Sequence, residues 1–363
     1  MKAMSIGGAM VDTIAIIESD RIERMSMLNA ETSFLLLEEG RKTEALDVST
    51  HCGGGAVNTA VALARLGFDV SALVKLGRDA RAEFLLARLG DEGVSTRWVI
   101  RDAAAPTGAS VIVSSHDRNA AVFTFRGANT LLSPADLTDA AFAADLVYVS
   151  SLSNRSADCF PTIIDKAKAA GALVAVNAGV RQLSVRGGAF LDSLAKVDIL
   201  AINRPEAEAL VPGLVARFGE GGATLALDAG EQPPPLLARG LVGGGYEMSL
   251  PAFLHAVRGL GTKYVMLTDG HGGAFVCANE SVLFCPAVDA TVASTTGAGD
   301  AMAATFAAYI ALGRPGDVAL RAATINAASV VAYIDTQSGL LRREALEGRL
   351  AARSDLHVRK WKL

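Results

Sequence analysis

Basic residues are not in excess in this sequence: 34 Lys and Arg stand against 38 Asp and Glu, a formal charge of −4 with a pI near 5.8. Phosphate backbones and anionic membranes attract surplus Lys and Arg, so the balance argues against a nucleic-acid or membrane-surface partner. Cysteine is scarce as well. Cys52, Cys159, Cys277 and Cys285 contain no CxxC pair with metal-ligand spacing, and they read as free, mostly buried thiols. Long apolar runs are missing: the most apolar stretch, residues 301–312, is too short to span a bilayer and reads as a buried helix. The opening segment MKAMSIGGAMVDTIAII has one Lys and an apolar run broken by Asp12, a pattern expected of a first strand rather than a secretory signal. These absences point to a cytoplasmic chain. Aromatics make up 6% of 363 residues, while alanine and glycine are abundant, which suits helices packed closely on a sheet.

From about residue 51 onward, strand-like runs alternate with helix-period segments, the pattern of βαβ units around a parallel sheet. Strands are expected at 69–76, 146–150, 173–177, 198–203 and 263–268, and helices at 56–66, 160–170, 301–312 and 320–333. The fold class that follows is α/β: a doubly wound, mostly parallel central sheet flanked by helices. Two segments break the rhythm. Residues 31–50 hold two extended stretches around Glu39-Gly40, and residues 107–126 alternate around a polar turn at 117–119; each reads as a hairpin. Together they suit a small sheet standing off the main layer, or two surface hairpins. Residues 211–261 are rich in Gly and Pro and read as loops interrupted by short helices.

Five constellations, each at the end of an expected strand, carry candidate chemistry. The first is Ser294-Thr295-Thr296-Gly297-Ala298-Gly299-Asp300, running into an apolar helix. Small residues at a helix start let backbone amides approach an anion, and the helix dipole adds positive potential there. Asp300 on the first turn suits general-base work on a hydroxyl, and equally suits a helix cap. The second, Gly53-Gly54-Gly55-Ala56-Val57-Asn58, leaves room for a polyhydroxy ligand against the backbone, with Asn58 offering donor and acceptor; it also suits a plain strand-to-helix turn. Asp12, third, follows Gly7-Gly8 at the carboxyl end of the first strand, where ligands bind in open α/β sheets. Fourth, Asn203 and Glu206 suit either the water shell of Mg²⁺ or a capping box. The fifth is the loop Thr268-Asp269-Gly270-His271-Gly272-Gly273, suited to nucleotide phosphates or a simple turn.

The two signatures GGGAVNTAVALARLG and TTGAGDAMAATFAAYIALG, with NxxE and TxG motifs between them, resemble those of the PfkB carbohydrate kinases, the ribokinase-like group. The resemblance covers nearly the whole chain. It implies an ATP-dependent phosphotransferase acting on a hydroxyl of a sugar, with a core formed by residues 1–16, 51–104 and 128–363 and a β-sheet lid formed by residues 17–50 and 105–127. It implies Asp300 as catalytic base and the amides of Gly297, Ala298 and Gly299 as an anion hole. Asp12, Gly54, Gly55 and Asn58 are implied as substrate contacts. Asn203, Glu206, Thr268 and Gly270 are implied on the ATP side, with Glu206 holding Mg²⁺ through water and Asn326 near the adenine. A homodimer joined through the lids is implied too.

Two positions depart from the family pattern. Ser294 stands where the family usually has an Asp linked to a monovalent cation, which puts potassium dependence in question. Ser150 and Ser151 stand near the place of a ribokinase Glu that touches the sugar, and neither replaces a carboxylate. Two other readings remain open: a nucleoside kinase, with Phe34, Phe123 and Phe125 as walls for the base, and a ligand-binding regulator without turnover.

Overall fold

Strands such as LVYV at Leu146–Val149 and ILAIN at Ile199–Asn203 are apolar on both sides, which only a sheet covered on both faces can accommodate. The computed structural model, which describes residues 1–18, 23–26, 33–36, 40, 42–115, 120–225, 227 and 232–363, places them in such a sheet. Among the described residues the main sheet has nine strands, in the order 359–362, 281–285, 274–278, 264–268, 199–203, 173–176, 146–149, 2–6 and 69–73. The six strands from 264–268 to 69–73 are parallel, and the other three extend one edge antiparallel. Leu146 and Tyr148 face a layer with the helices Gly55–Arg65, Ala80–Asp91, Ala298–Ala311 and Gly316–Val330; Val147 and Val149 face the opposite layer with Phe160–Ala169 and Leu250–Gly259. The fold is thus the doubly wound α/β class that the alternation implies.

Three expectations need correction. The first 17 residues are not one strand: Lys2–Ile6 joins the main sheet and Met10–Ile17 joins a second sheet, broken at Gly7, whose φ of 143° lies outside the range of other residues. Among the described residues, the two extended stretches of residues 31–50 do not pair with each other. Ser33–Leu36 pairs with Glu23–Ser26, while Asp47–Gly53 pairs with Met10–Ile17; Glu39 itself lies outside the described residues. The expected hairpin of residues 107–126 does form, from Gly108–Ser115 and Ala120–Phe125, with its turn at 117–119 outside the described residues. The second sheet has the order 120–125, 108–115, 10–17, 47–53, and its 10–17 and 108–115 strands run parallel.

The third correction concerns residues 211–261, which are more regular than their composition suggests. The helix Arg204–Phe218 continues through Pro212. Proline cannot donate to the carbonyl four residues back, that of Glu208. Gly243 lies against this carbonyl, and a Cβ there would sit 1.9 Å from the oxygen. The freed segment is therefore covered by the hairpin Leu241–Gly243 and Tyr246–Met248, and a regular helix, Leu250–Gly259, follows.

Candidate functional site

Strand register brings the motifs to one end of the main sheet. Ile6 pairs with Val149, so Gly7 and Ser150 adjoin; Asn203 pairs with Thr268, so the NxxE and TxG motifs lie side by side. At the turn 53–55 the chain is packed without room for side chains. A Cβ on Gly53 would sit 1.9 Å from Asp12 Oδ2, one on Gly54 2.6 Å from the Gly8 carbonyl oxygen, and one on Gly55 2.8 Å from Ser150 Cβ and 3.5 Å from Asp300 Oδ1. Gly54 also has a φ of 94°, which favours glycine. Asp12 and Asp300 thus flank one glycine turn, although 288 residues separate them in sequence.

Asp300 lies on the first turn of Ala298–Ala311, half-buried, and its Oδ2 accepts a hydrogen bond from Asn58 Nδ2 at 2.8 Å. Asn58 Oδ1 in turn accepts from Thr336 Oγ1 at 2.8 Å and from Gln337 Nε2 at 3.2 Å. These two donors fix which end of the amide faces Asp300. The Asn58 amide thus spends its oxygen and one of its two Nδ2 hydrogens within the protein, so its side chain holds Asp300 and keeps one N–H uncommitted. Thr336 also packs beneath Gly297, which caps the helix with a φ of 84°; a Cβ there would lie 2.7 Å from Thr336 Cβ. One loop, residues 335–338, therefore shapes both the helix start and the carboxylate beside it. Amides of the first helical turn have no carbonyl partner within the helix, although Ala298 N makes a long 3.4 Å bond back to the Thr295 carbonyl, and such amides face whatever lies over the helix end.

Three carboxyl groups here are raised above the usual range. Burial lifts Asp300, with Asn58 offsetting part of the rise. Burial also lifts Asp12, against the hydrogen bond from Ser110 and the nearby His51. Burial pushes Glu206 up to about 7; the Asn203 amide opposes this, and the like charge of Asp300 adds to it. Asp300 and Glu206 are thus close enough to repel. Tyr148 is fully buried within reach of both charges, and its hydroxyl has no partner among the described residues.

Asn203 and Glu206 form the capping box that their spacing permits: Glu206 N donates to Asn203 Oδ1 and Asn203 N to Glu206 Oε2, both at 2.9 Å. The cap and the electrostatic contact with Asp300 coexist, because the carboxyl end of the sheet is where helix starts gather. Asn177 Nδ2 also reaches Glu206 Oε2, at 3.5 Å. Beyond Thr268, Asp269 is pinned by Arg239 at 2.8 Å, which leaves Gly270 on an open turn with a φ of 54°. Asn326 is the exception among the candidate residues. It is fully buried, donates to Thr305 Oγ1 at 2.8 Å and accepts from Leu341 N at 2.9 Å. Its amide fastens the segment after residue 338 to the core, so the expected adenine contact is not available to it.

Sequence reasoning missed Ser110, Tyr148, Asn177, Thr336 and Gln337. Only the first had a local signal, since residue 110 lies on a strand already expected beside the substrate. Nothing near residues 336–337 marks them as partners of residue 58.

The raised carboxyl of Glu206 has a consequence for stability. Its ordinary value is 4.5 and its folded value about 7, so the folded state binds the proton more tightly than the unfolded one. Stability therefore falls as pH rises from about 4.5 to about 7 and stays lowered above that. Glu206→Gln removes the penalty, on the order of 1–3 kcal/mol above neutrality. The melting temperature of the variant is expected to exceed that of the parent at pH 8, with the gap closing at pH 5; a gap independent of pH would contradict this.

The family model for the pfkB family carbohydrate kinase matches residues 22–215 and 248–343. A deoxyribokinase of Salmonella typhi is 26% identical over 330 residues, 90% of this chain and 94% of that one. A ribokinase of Staphylococcus aureus is 25% identical over 260 residues, 70% of this chain and 73% of that one. Among solved structures, the Arabidopsis thaliana ribokinase complexed with ribose and ATP superposes with a TM-score of 0.69 at 21% identity, over 96% of this chain and 98% of that one.

Proposed function

This chain belongs to the pfkB family of carbohydrate kinases, and from that premise we propose that it transfers the γ-phosphoryl group of ATP to a sugar hydroxyl with Asp300 as general base. The observation that carries the reading is the pairing of Asp300, held by Asn58, with a helix start opened by a left-handed glycine. Asp300 removes the proton as the hydroxyl attacks, and the amides of Gly297, Ala298 and Gly299 hold the charge that gathers on the equatorial oxygens. Asp12 and the bare backbone of Gly54 and Gly55 position the sugar. Asn203, Glu206, Thr268 and Gly270 line the ATP side.

Two repelling carboxyl groups, Asp300 and Glu206, fit a site completed by a cation. Glu206 would hold Mg²⁺ through water, and the ion would supply charge neutralisation at the ATP phosphates. The four cysteines are free and buried, as suits the reducing cytoplasm.

Residues 17–50 and 105–127 fit a lid over the sugar. On the second sheet Asp12 shares its face with Ser110 and Thr124, whereas Phe123 and Phe125 alternate onto the opposite face. Those two rings are half or more exposed, as is Val48 on the same face. They are thus unsuited as walls of a nucleoside slot and better suited to meeting a second copy of the chain. Light scattering is expected to give a dimer, with Phe123→Lys shifting it to monomer; a monomeric parent would sink the lid interface.

The test of the activity is coupled ADP release across pentoses, hexoses, sugar acids and nucleosides, with Asp300→Asn protein as the blank. Release with nucleosides alone would favour the nucleoside kinase. Stabilisation by sugars without any release would favour the regulator.

A further inference from the structure

Beside Ser150, at the carboxyl end of Leu146–Val149, lies a pocket of about 200 Å³ lined by Arg126, Arg155, Arg181 and Arg186 together with Ser151 and Ser153. It adjoins the catalytic turn: Ser150 packs against Gly55, which faces Asp300 Oδ1, and Ser151 continues the chain into the pocket. No carboxylate lines it among the described residues. Arg186 is neutralised outside it by Asp158, at 2.5 Å and 3.2 Å, and Arg155 also feels that acid.

Arg126 and Arg181 have no acidic partner among the described residues. Arg126 is half-buried and donates to Ser153 Oγ at 2.9 Å; desolvation, with Arg181 beside it, disfavours its charge. The half-buried Arg126 guanidinium, with the exposed Arg181 beside it and no acid to pair with, is costly to keep charged unless an anion completes it. A forked donor pair of this kind matches the oxygens of a carboxylate or phosphate. Ser150 and Ser151 supply no acid that would repel one.

We propose that this pocket is a subsite for an anionic group, a carboxylate or phosphate, borne by the sugar substrate away from the hydroxyl that Asp300 deprotonates. The enzyme then selects sugar acids or sugar phosphates over neutral sugars such as ribose. This rests on the kinase reading above and narrows its substrate class.

The test uses the full-length enzyme with ATP and Mg²⁺ on matched pairs: D-ribose and D-ribonate, D-glucose and D-gluconate, D-fructose and D-fructose 6-phosphate. ADP release and thermal stabilisation are both read. An anionic member is expected to exceed its neutral partner in kcat/KM by at least about tenfold, with KM rising as salt is added. Arg126→Met and the exposed Arg181→Met should each lower kcat/KM for that anion by roughly 10–100-fold, the size of a lost charged hydrogen bond, and leave neutral sugars within about threefold. The carboxylate and phosphate arms identify which anion is taken.

Turnover of neutral sugars, indifferent to both arginine variants, overturns the subsite and leaves the kinase standing. Stabilisation by anions that depends on the arginines, without turnover of any sugar, supports the subsite and overturns the kinase. Neither turnover nor stabilisation overturns both.

Discussion

Asp300→Asn is expected to lower kcat on the preferred sugar by about 10²–10⁴-fold, the usual cost of a lost general base, while sugar binding read by thermal stabilisation persists. The substitution is nearly isosteric, and the new side-chain oxygen still accepts the hydrogen bond that Asn58 Nδ2 now gives Asp300 at 2.8 Å. It loses the ability to take a proton. Removing a desolvated charge also relieves Glu206 of a repelling neighbour, so the variant should melt no lower than the parent at neutral pH. That second reading separates a catalytic loss from a folding defect. Residual turnover would come from the helix-start amides, which the variant keeps. Near-full turnover would remove Asp300 from its assigned role.

As the proposed base, the same carboxyl is expected to set the acid side of the pH profile. Burial raises Asp300 above the ordinary carboxylate range, and a base works only when deprotonated. Activity therefore falls on acidification from a higher pH than an exposed aspartate would give.

Motifs whose parts sit within one strand-to-helix turn were legible in the sequence, because the local chemistry that makes such a turn also makes a ligand cradle. Gly297 to Asp300, Gly53 to Asn58 and Asn203 to Glu206 are of this kind, and the structure gathers all three at one sheet end. The alternation of apolar runs gave the parallel sheet, since a strand buried on both faces carries a nearly continuous apolar signature. What depends on distant pairing was not legible. Gly7 breaks the first strand where Ser150 leaves no room for a Cβ, and the helix runs on through Pro212 with Gly243 packed against the Glu208 carbonyl. Asn326 sits near a family site in sequence, yet its partners Thr305 and Leu341 place it in the core.

The role of Asn58 is decided by a charge change rather than by truncation. Asn58→Asp preserves shape, and Thr336 and Gln337 can still donate to the oxygen they already hold. The group facing Asp300 Oδ2 changes from a donor to a second carboxylate. Two such groups at hydrogen-bond distance cannot both ionise near neutrality, so they share a proton and the pair titrates with one strongly raised value. That shared proton occupies the base. At pH 7 the variant is expected to lose on the order of 10²-fold in kcat/KM, with the acid limb moved up by roughly 1–3 pH units and activity recovering toward pH 9. Asn58→Leu should also lower activity and move the limb up, but by less, because it removes the hydrogen bond that holds Asp300 down and adds no charge. If Asn58 served only to grip the sugar, Asn58→Asp would raise KM and leave the limb in place. A shifted limb with partial recovery in alkali is thus the signature of an amide whose task is to keep Asp300 ionised and aimed.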